Sequence, residues 1–334
     1  MKKRMHRLVV CVSILSLVSL FTACSGGGSS DSGTPVLTYS GRTSAAAISE
    51  DNAGTLAASA LDAGSSNSAF SLNGFAALGG ADPGADAAGR PLLFGIARTL
   101  EDAAGFVDLS GAPEPDVSAA TQSESGSLQG SCGGSASYSI SVDRDTGTFS
   151  GNFTFSGYCA DDLTVSGSAS FSGVVNTGTE QLESFTFSFS AITATSGSES
   201  VTMNGSIAIS VSASTVTMNM TIQDNTSGWM CKVVNYQMVV TDSGAYSEYS
   251  VSGRFFDQDY GYVDLETNQP FIVYSGDEYP SSGQLTLYGE IGSAGGRTSA
   301  VLTAVDATRC RVEVDGDGDG TYEVTIDPVL WSEL

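Results

Sequence analysis

Histidine is almost missing. The single copy, His6, sits among the first residues, ahead of an apolar run. Beyond residue 23 the chain has no imidazole, which excludes a serine–histidine or cysteine–histidine nucleophile pair, a histidine-ligated zinc and a haem held by an axial histidine. Basic residues are scarce as well. Thirteen Lys and Arg stand against 37 Asp and Glu, and four of the thirteen (Lys2, Lys3, Arg4 and Arg7) precede Cys24. From Cys24 onward the chain carries nine basic residues against 37 acidic ones, a net charge of −28. Such a surface repels nucleic acid and anionic headgroups and draws divalent cations. No CxxC pair occurs, so a four-cysteine metal site lacks its usual spacing. Long apolar runs are absent except Leu8 to Phe21, which is shorter than the roughly 20 residues a spanning helix needs.

That run, with its four basic residues in front, has the form of an export signal over residues 1–23. It ends in Leu20-Phe21-Thr22-Ala23-Cys24, which resembles the lipobox of bacterial lipoproteins, although Phe21 stands where that family usually has Leu. The resemblance implies a lipid on Cys24, with cleavage by an ordinary signal peptidase as the alternative. Ser25 after the cysteine implies, by the same resemblance, the outer membrane, on its periplasmic side or at the cell surface. Residues 24–34 then form a Gly/Ser tether.

Residues 35–126 are alanine-rich and poor in β-branched side chains. Ala45, Ile48, Leu56 and Ala60 predict a helix within Ser44–Leu61, and Leu93, Ile96, Leu100 and Ala104 predict a second over Pro91–Ala104. These helices either cover an apolar sheet face or form a lid over a cavity. Residues 62–90 are expected to be loop, and Gly111 to Gly134 reads as an acidic connector.

From residue 127 to 334 the chain predicts a mainly β domain. In GTFSGNFTFSGY, Phe149, Phe153 and Phe155 share one parity, and Thr148, Ser150, Asn152 and Thr154 the other. Alternate strand side chains point to opposite faces, so one face is greasy and the other hydroxylated. The same pattern recurs through Gln223 with breaks too short for a parallel crossover, which predicts a large antiparallel meander. In MCKVVNYQMVV both parities are apolar, as expected of a strand buried on both sides. A sheet of so many strands curls, splits or closes, so a curled sheet or flattened barrel is expected, with a β-sandwich as the alternative. A membrane-spanning barrel shares the alternation, but its recurrent aromatic girdles are missing.

Cys132, Cys159, Cys231 and Cys310 are even in number, and in an exported chain they read as disulfides with three possible connectivities. Cys132–Cys159 with Cys231–Cys310 is the pairing without nesting. Near the C-terminus, VDGDGDGTYE places Asp315, Asp317 and Asp319 on alternate residues. This resembles the DxDxDG calcium loops of EF-hands, dockerins and β-propellers, because Ca²⁺ needs six to eight oxygens converging from a tight turn. Ile326 occupies the position of the usual bidentate Glu, so Thr321 and Glu323 or Asp327 are left to complete the shell; the alternative is an acidic hairpin turn without metal. Asp257, Asp259 and Asp264 among Tyr260 and Tyr262 suggest either paired acids of a glycosidase or a solvated turn.

Leader, tether, Ala-rich segment, meander and closing hairpin together resemble a class of β-rich bacterial lipoproteins without an established activity. The expectation is an exported, lipid-anchored envelope protein with a structural or interaction role, no catalysis, possible structural Ca²⁺ and no nucleic-acid partner; its partners would be the membrane and another envelope protein. The alternatives are a carrier of an apolar ligand under a curled sheet, marked by a hollow near Phe153 and Phe187, and a carboxylate-pair glycosidase.

Overall fold

The computed structural model describes residues 37–62, 121–160, 163–178, 182–277 and 279–334. Short polar connections tie each strand to the next one in sequence. The outcome is one antiparallel sheet of fourteen strands in strictly sequential order, with no closing pair between first and last. Strand β1 spans Thr121–Gln129, β2 Gly133–Asp143, β3 Thr148–Ala160, β4 Leu163–Val175, β5 Leu182–Ser196, β6 Glu199–Ser210 and β7 Thr215–Asp224. They are followed by β8 Met230–Asp242, β9 Tyr246–Asp257, β10 Gly261–Tyr274, β11 Ser282–Ile291, β12 Arg297–Asp306, β13 Arg309–Asp315 and β14 Val324–Leu330. The curled meander is therefore an open sheet, neither a barrel nor a sandwich. It begins earlier than residue 127, because β1 lies inside the expected acidic connector.

Curvature comes from a line of bulges. Pairing slips between Phe155 and Tyr158 in β3, Ser166 and Ser168 in β4, Phe189 and Ile192 in β5, Met218 and Met220 in β7, and Val234 and Gln237 in β8. Beside these slips the backbone has positive φ at Gly157 (59°), Gly167 (119°), Ala191 (49°), Gly205 (143°), Asn235 (48°) and Gly253 (116°). Each bulge bends its strand and increases local twist, so the aligned series acts as a crease across the sheet. At Gly205 the neighbouring strand comes so close that a Cβ would lie 2.2 Å from the carbonyl oxygen of Asn219.

A bulge also shifts parity by one, which keeps apolar side chains inward on both sides of the crease. In β5 the buried set runs Phe187, Phe189 and Ala191, then Ile192 and Ala194. The same shift at Asn235 accounts for β8, where Cys231 and Val233 are buried before the bulge and Tyr236 and Met238 after it. Two-sided burial is not the cause of its mixed pattern, since Val239 is 42% exposed. Buried side chains from β2 through β13 form a single core cluster, to which β1 and β14 add the partly buried Leu128, Val324 and Ile326.

The N-terminal part of the core is a helix, α1 (Glu50–Asp62), and the extended segment before it. Asn52 holds the helix start, accepting the Ser49 N–H at 2.9 Å and donating to the Ala47 carbonyl at 2.8 Å. Ala53, Leu56, Ala57 and Ala60 are fully buried against the sheet, where α1 packs on β9, β12 and β13. Small residues let its backbone sit low, and the Tyr236 hydroxyl donates to the Ala60 carbonyl in the last turn at 3.0 Å. Residues 42–46 run across the sheet as a strap. Ala46 N–H donates to the Tyr262 carbonyl, Tyr262 N–H to that of Ser44, and Glu290 N–H to that of Ala46. This helix overlaps the expected 44–61 window, starting at Glu50 and ending one residue past it, whereas the one expected over 91–104 lies outside the described residues.

The crease predicts a diagnostic pair of substitutions. Asn tolerates a left-handed backbone and a β-branched residue does not. In urea unfolding, Asn235→Val is expected to lose about 1–2 kcal/mol while Asn235→Gly stays within about 0.5 kcal/mol of the parent. Equal losses would mean that side-chain contacts rather than backbone conformation set the cost.

Candidate functional site

Between β13 and β14 the DGDGDG turn folds its carboxylates inward onto its own amides. Asp315 is 3% exposed, and its two oxygens accept N–H groups from Gly318 (2.7 Å) and Gly320 (2.9 Å). Asp317 accepts from the Asp319 amide at 3.0 Å and Asp319 from the Thr321 amide at 2.6 Å. Glu323 closes the ring by accepting the Gly316 N–H at 3.2 Å. Neighbouring backbone fixes the loop from outside, with Ala294 N–H donating to the Asp317 carbonyl and Gly296 N–H to that of Gly318.

One carboxylate oxygen from each of Asp315, Asp317, Asp319 and Glu323 lies within 4.8 Å of the others. This group can hold a metal ion, and an all-oxygen donor set suits a hard cation. Asp327 is outside it. That residue projects from β14 toward Arg311 and pairs with it at 2.7 Å. Thr321 is an exposed residue whose amide caps Asp319. Glu323 thus stands where the sequence pattern leaves two choices.

Two of the three acids around residue 260 are already occupied, and the third, Asp259, is exposed on the turn. Asp257 is buried and caps its own turn, accepting the amides of Asp259 (2.8 Å) and Tyr260 (3.1 Å). Asp264 lies between Arg254 at 2.7 Å and Arg297 at 2.8 Å. Burial pushes the Asp264 carboxyl up, but the hydrogen bonds and charges of the two guanidiniums outweigh it and hold the group below its ordinary range. Arg254 in turn stacks on Tyr262, with its guanidinium carbon 3.9 Å from the ring centre. Neither Arg254 nor Arg297 stands out in the sequence, because nothing local in the chain links residues 254, 264 and 297.

Cys132 and Cys159 form a disulfide with Cα atoms 5.1 Å apart, tying the β1–β2 turn to the end of β3. The expected second bridge is absent: Cys231 and Cys310 are free and buried. Cys231 pairs with Ile222 and Asp257, Cys310 with Ala304 and Val329, and four strands separate β8 from β13. Burial pushes both thiols up, Cys310 to about 11, and Asp257 adds to the effect at Cys231.

Pairing register reveals a further surface. Ser125, Ser139, Asn152, Ser170, Ser188, Ser206 and Asn219 face one another in succession from β1 to β7. A parallel row runs Ser123, Ser141, Ser150, Ser172 and Thr186, and another Ser127, Ser137, Thr154, Ser168 and Ser190. Adjacent strands lie about 4.8 Å apart, so these rows form a lattice of hydrogen-bonding groups with no charged residue in it. Two hollows of about 400 and 530 Å³ adjoin these rows, sharing Ser141 and Ser150; Asp143 stands at the edge of the first and Glu124 at the edge of the second, both outside the three rows. Alternation in the sequence predicts the hydroxyl face, but the alignment of rows is set by hairpin register. On the opposite face, Phe149, Phe153, Phe155, Phe171, Phe185, Phe187 and Phe189 touch ring to ring at 5.2–6.4 Å, and Phe153 and Phe187 are 3% and 5% exposed.

Comparisons with protein-family models, with curated proteins and with solved structures give no match.

Buried thiols of this kind are slow to ionise and to react. With iodoacetamide at pH 8, Cys231 and Cys310 are expected to stay unmodified in the folded protein and both to be alkylated in guanidinium without reductant. Resistance of the pair in guanidinium would mean that they are bridged.

Proposed function

We propose that the chain is an exported, lipid-anchored envelope protein with a structural or interaction role, and that the hydroxyl lattice of β1–β7 is its contact face for neutral, hydrogen-bonding partners. The observation that carries this reading is the absence of any charge from three rows of a sheet whose chain holds 37 acidic residues. A charged face would select partners by long-range attraction and would weaken with salt. A neutral one selects by hydrogen-bond geometry at close range. The Cys132–Cys159 disulfide supports an oxidising compartment, and the lipobox-like Cys24 supports the anchor.

Cells fed a labelled fatty acid test the anchor and the face together. Label and outer-membrane sedimentation are expected for the parent and neither for Cys24→Ala. The Ser139→Asp/Asn152→Asp/Ser170→Asp variant of the unlipidated chain is expected to bind purified cell-wall material at least fivefold less than the unlipidated parent. Equal labelling of Cys24→Ala overturns the anchor, and equal binding overturns the face.

We further infer that the metal taken by Asp315, Asp317, Asp319 and Glu323 is Ca²⁺, in a structural role. Amide hydrogen bonds already hold the carboxylates in place, and their mutual repulsion is what a divalent cation relieves. Affinity in the 10⁻⁴–10⁻³ M range of extracellular modules is expected. At free Ca²⁺ tenfold above Kd the gain is about 1.4 kcal/mol. That corresponds to a rise of roughly 3–6 °C in Tm for a domain of this size. Asp317→Asn/Asp319→Asn is expected to abolish the rise, and an equal response in parent and variant overturns the site.

A further inference from the structure

The two edges of the sheet differ in kind. Strand β14 is seven residues long, carries Pro328, which lacks an N–H, and places Asp327 in an ion pair with Arg311. Proline and charge are the usual protections of an exposed edge. Strand β1 has neither proline nor lysine. Its nine residues, TQSESGSLQ, pair with β2 along their whole length, and among the described residues nothing pairs with the other side. In an antiparallel ladder alternate residues point their N–H and C=O groups away from the partner strand, so β1 presents a row of donors and acceptors that no strand among the described residues meets.

A strand that docks there must continue two different faces at once. On one side it must extend rows ending in Ser123, Ser125 and Ser127; on the other it must meet Glu124, Gly126 and Leu128. β1 itself has that pattern. Antiparallel pairing of two β1 strands about Ser125 sets Ser125 against Ser125, Ser123 against Ser127 and Glu124 against Gly126. The one charge of the strand then avoids its own copy and falls across from a residue with no side chain. Tyr138 already shields both positions: its hydroxyl lies 3.4 Å from Glu124, and its ring fills the space where a Cβ of Gly126 would lie, 2.6 Å from the hydroxyl oxygen.

We propose that β1 is a self-association edge, at which two copies of the chain join their sheets antiparallel about Ser125. The hydroxyl rows then run unbroken through both copies. The pairing is independent of what the hydroxyl face binds, so its success or failure is read separately from that of the function proposed above.

Sedimentation equilibrium of the purified chain carrying Cys24→Ser, which removes lipid-driven association, tests the proposal at 150 mM salt. A concentration-dependent monomer–dimer equilibrium is expected. Ser123→Lys/Ser127→Lys places like charges opposite each other twice and is expected to raise the dimer Kd at least tenfold, with Tm unchanged. Ser123→Lys/Ser127→Glu places opposite charges across the same contacts and is expected to return the Kd to the parent value or below. A chain that stays monomeric at all concentrations, a dimer that ignores both variants, or one that both variants weaken alike overturns it.

Discussion

Among the described residues every strand takes only its neighbours in sequence as sheet partners, and that single constraint leaves a sheet with a very large apolar face and no second sheet to cover it. The helix α1 and the strap cover part of that face, and the rest is buried as the sheet turns onto itself. The diagonal of bulges from Gly157 to Gly253 supplies the turn, and the one-residue parity shift at each bulge is what lets Phe187 and Ile192, or Val233 and Tyr236, share an interior. Without those shifts the second half of each long strand would present its apolar side chains to water.

The same bend sorts the surfaces. Aromatic rings gather beneath β3 to β5, and the opposite face keeps small hydroxyl side chains in register, where bulkier ones would crowd a hollowed surface. Several acidic residues sit at strand ends and turns, where their oxygens accept amide hydrogens: Asp257, Asp306, Asp315, Asp317 and Asp319 all do so. The high negative charge is therefore compatible with a compact sheet, because much of it lies at turns whose amides offer donors.

Legibility tracks the length scale of each signal. Strands β3 to β7 are plain from alternation, since Phe149, Phe153 and Phe155 against Ser150, Asn152 and Thr154 encode a face in adjacent letters. β1 is hidden because TQSESGSLQ has a single large apolar residue, Leu128, and its strand character depends on pairing with β2. The bulge at Asn235 looks like two-sided burial because a parity shift and a doubly apolar strand read alike in MCKVVNYQMVV. Cysteine counting finds Cys132–Cys159 but misassigns Cys231 and Cys310, since parity of number carries no information about how many strands lie between two residues. The acidic hairpin is visible in its spacing, whereas the choice of Glu323 over Asp327 depends on Arg311 standing across the ladder.

The strap has a consequence for the order in which the molecule assembles. Sequential hairpins need only short loops to close, and such local contacts form early and fast. The contacts of residues 39–48 are of another order: Tyr39 reaches Asp257 across 218 residues and Ile48 reaches Thr298 across 250. Loop closure over such spans has to wait for β9 to β12 to exist as a platform. A segment made before the sheet thus docks after its platform strands exist, so α1 closes this part of the core as a plug on a sheet laid down strand by strand.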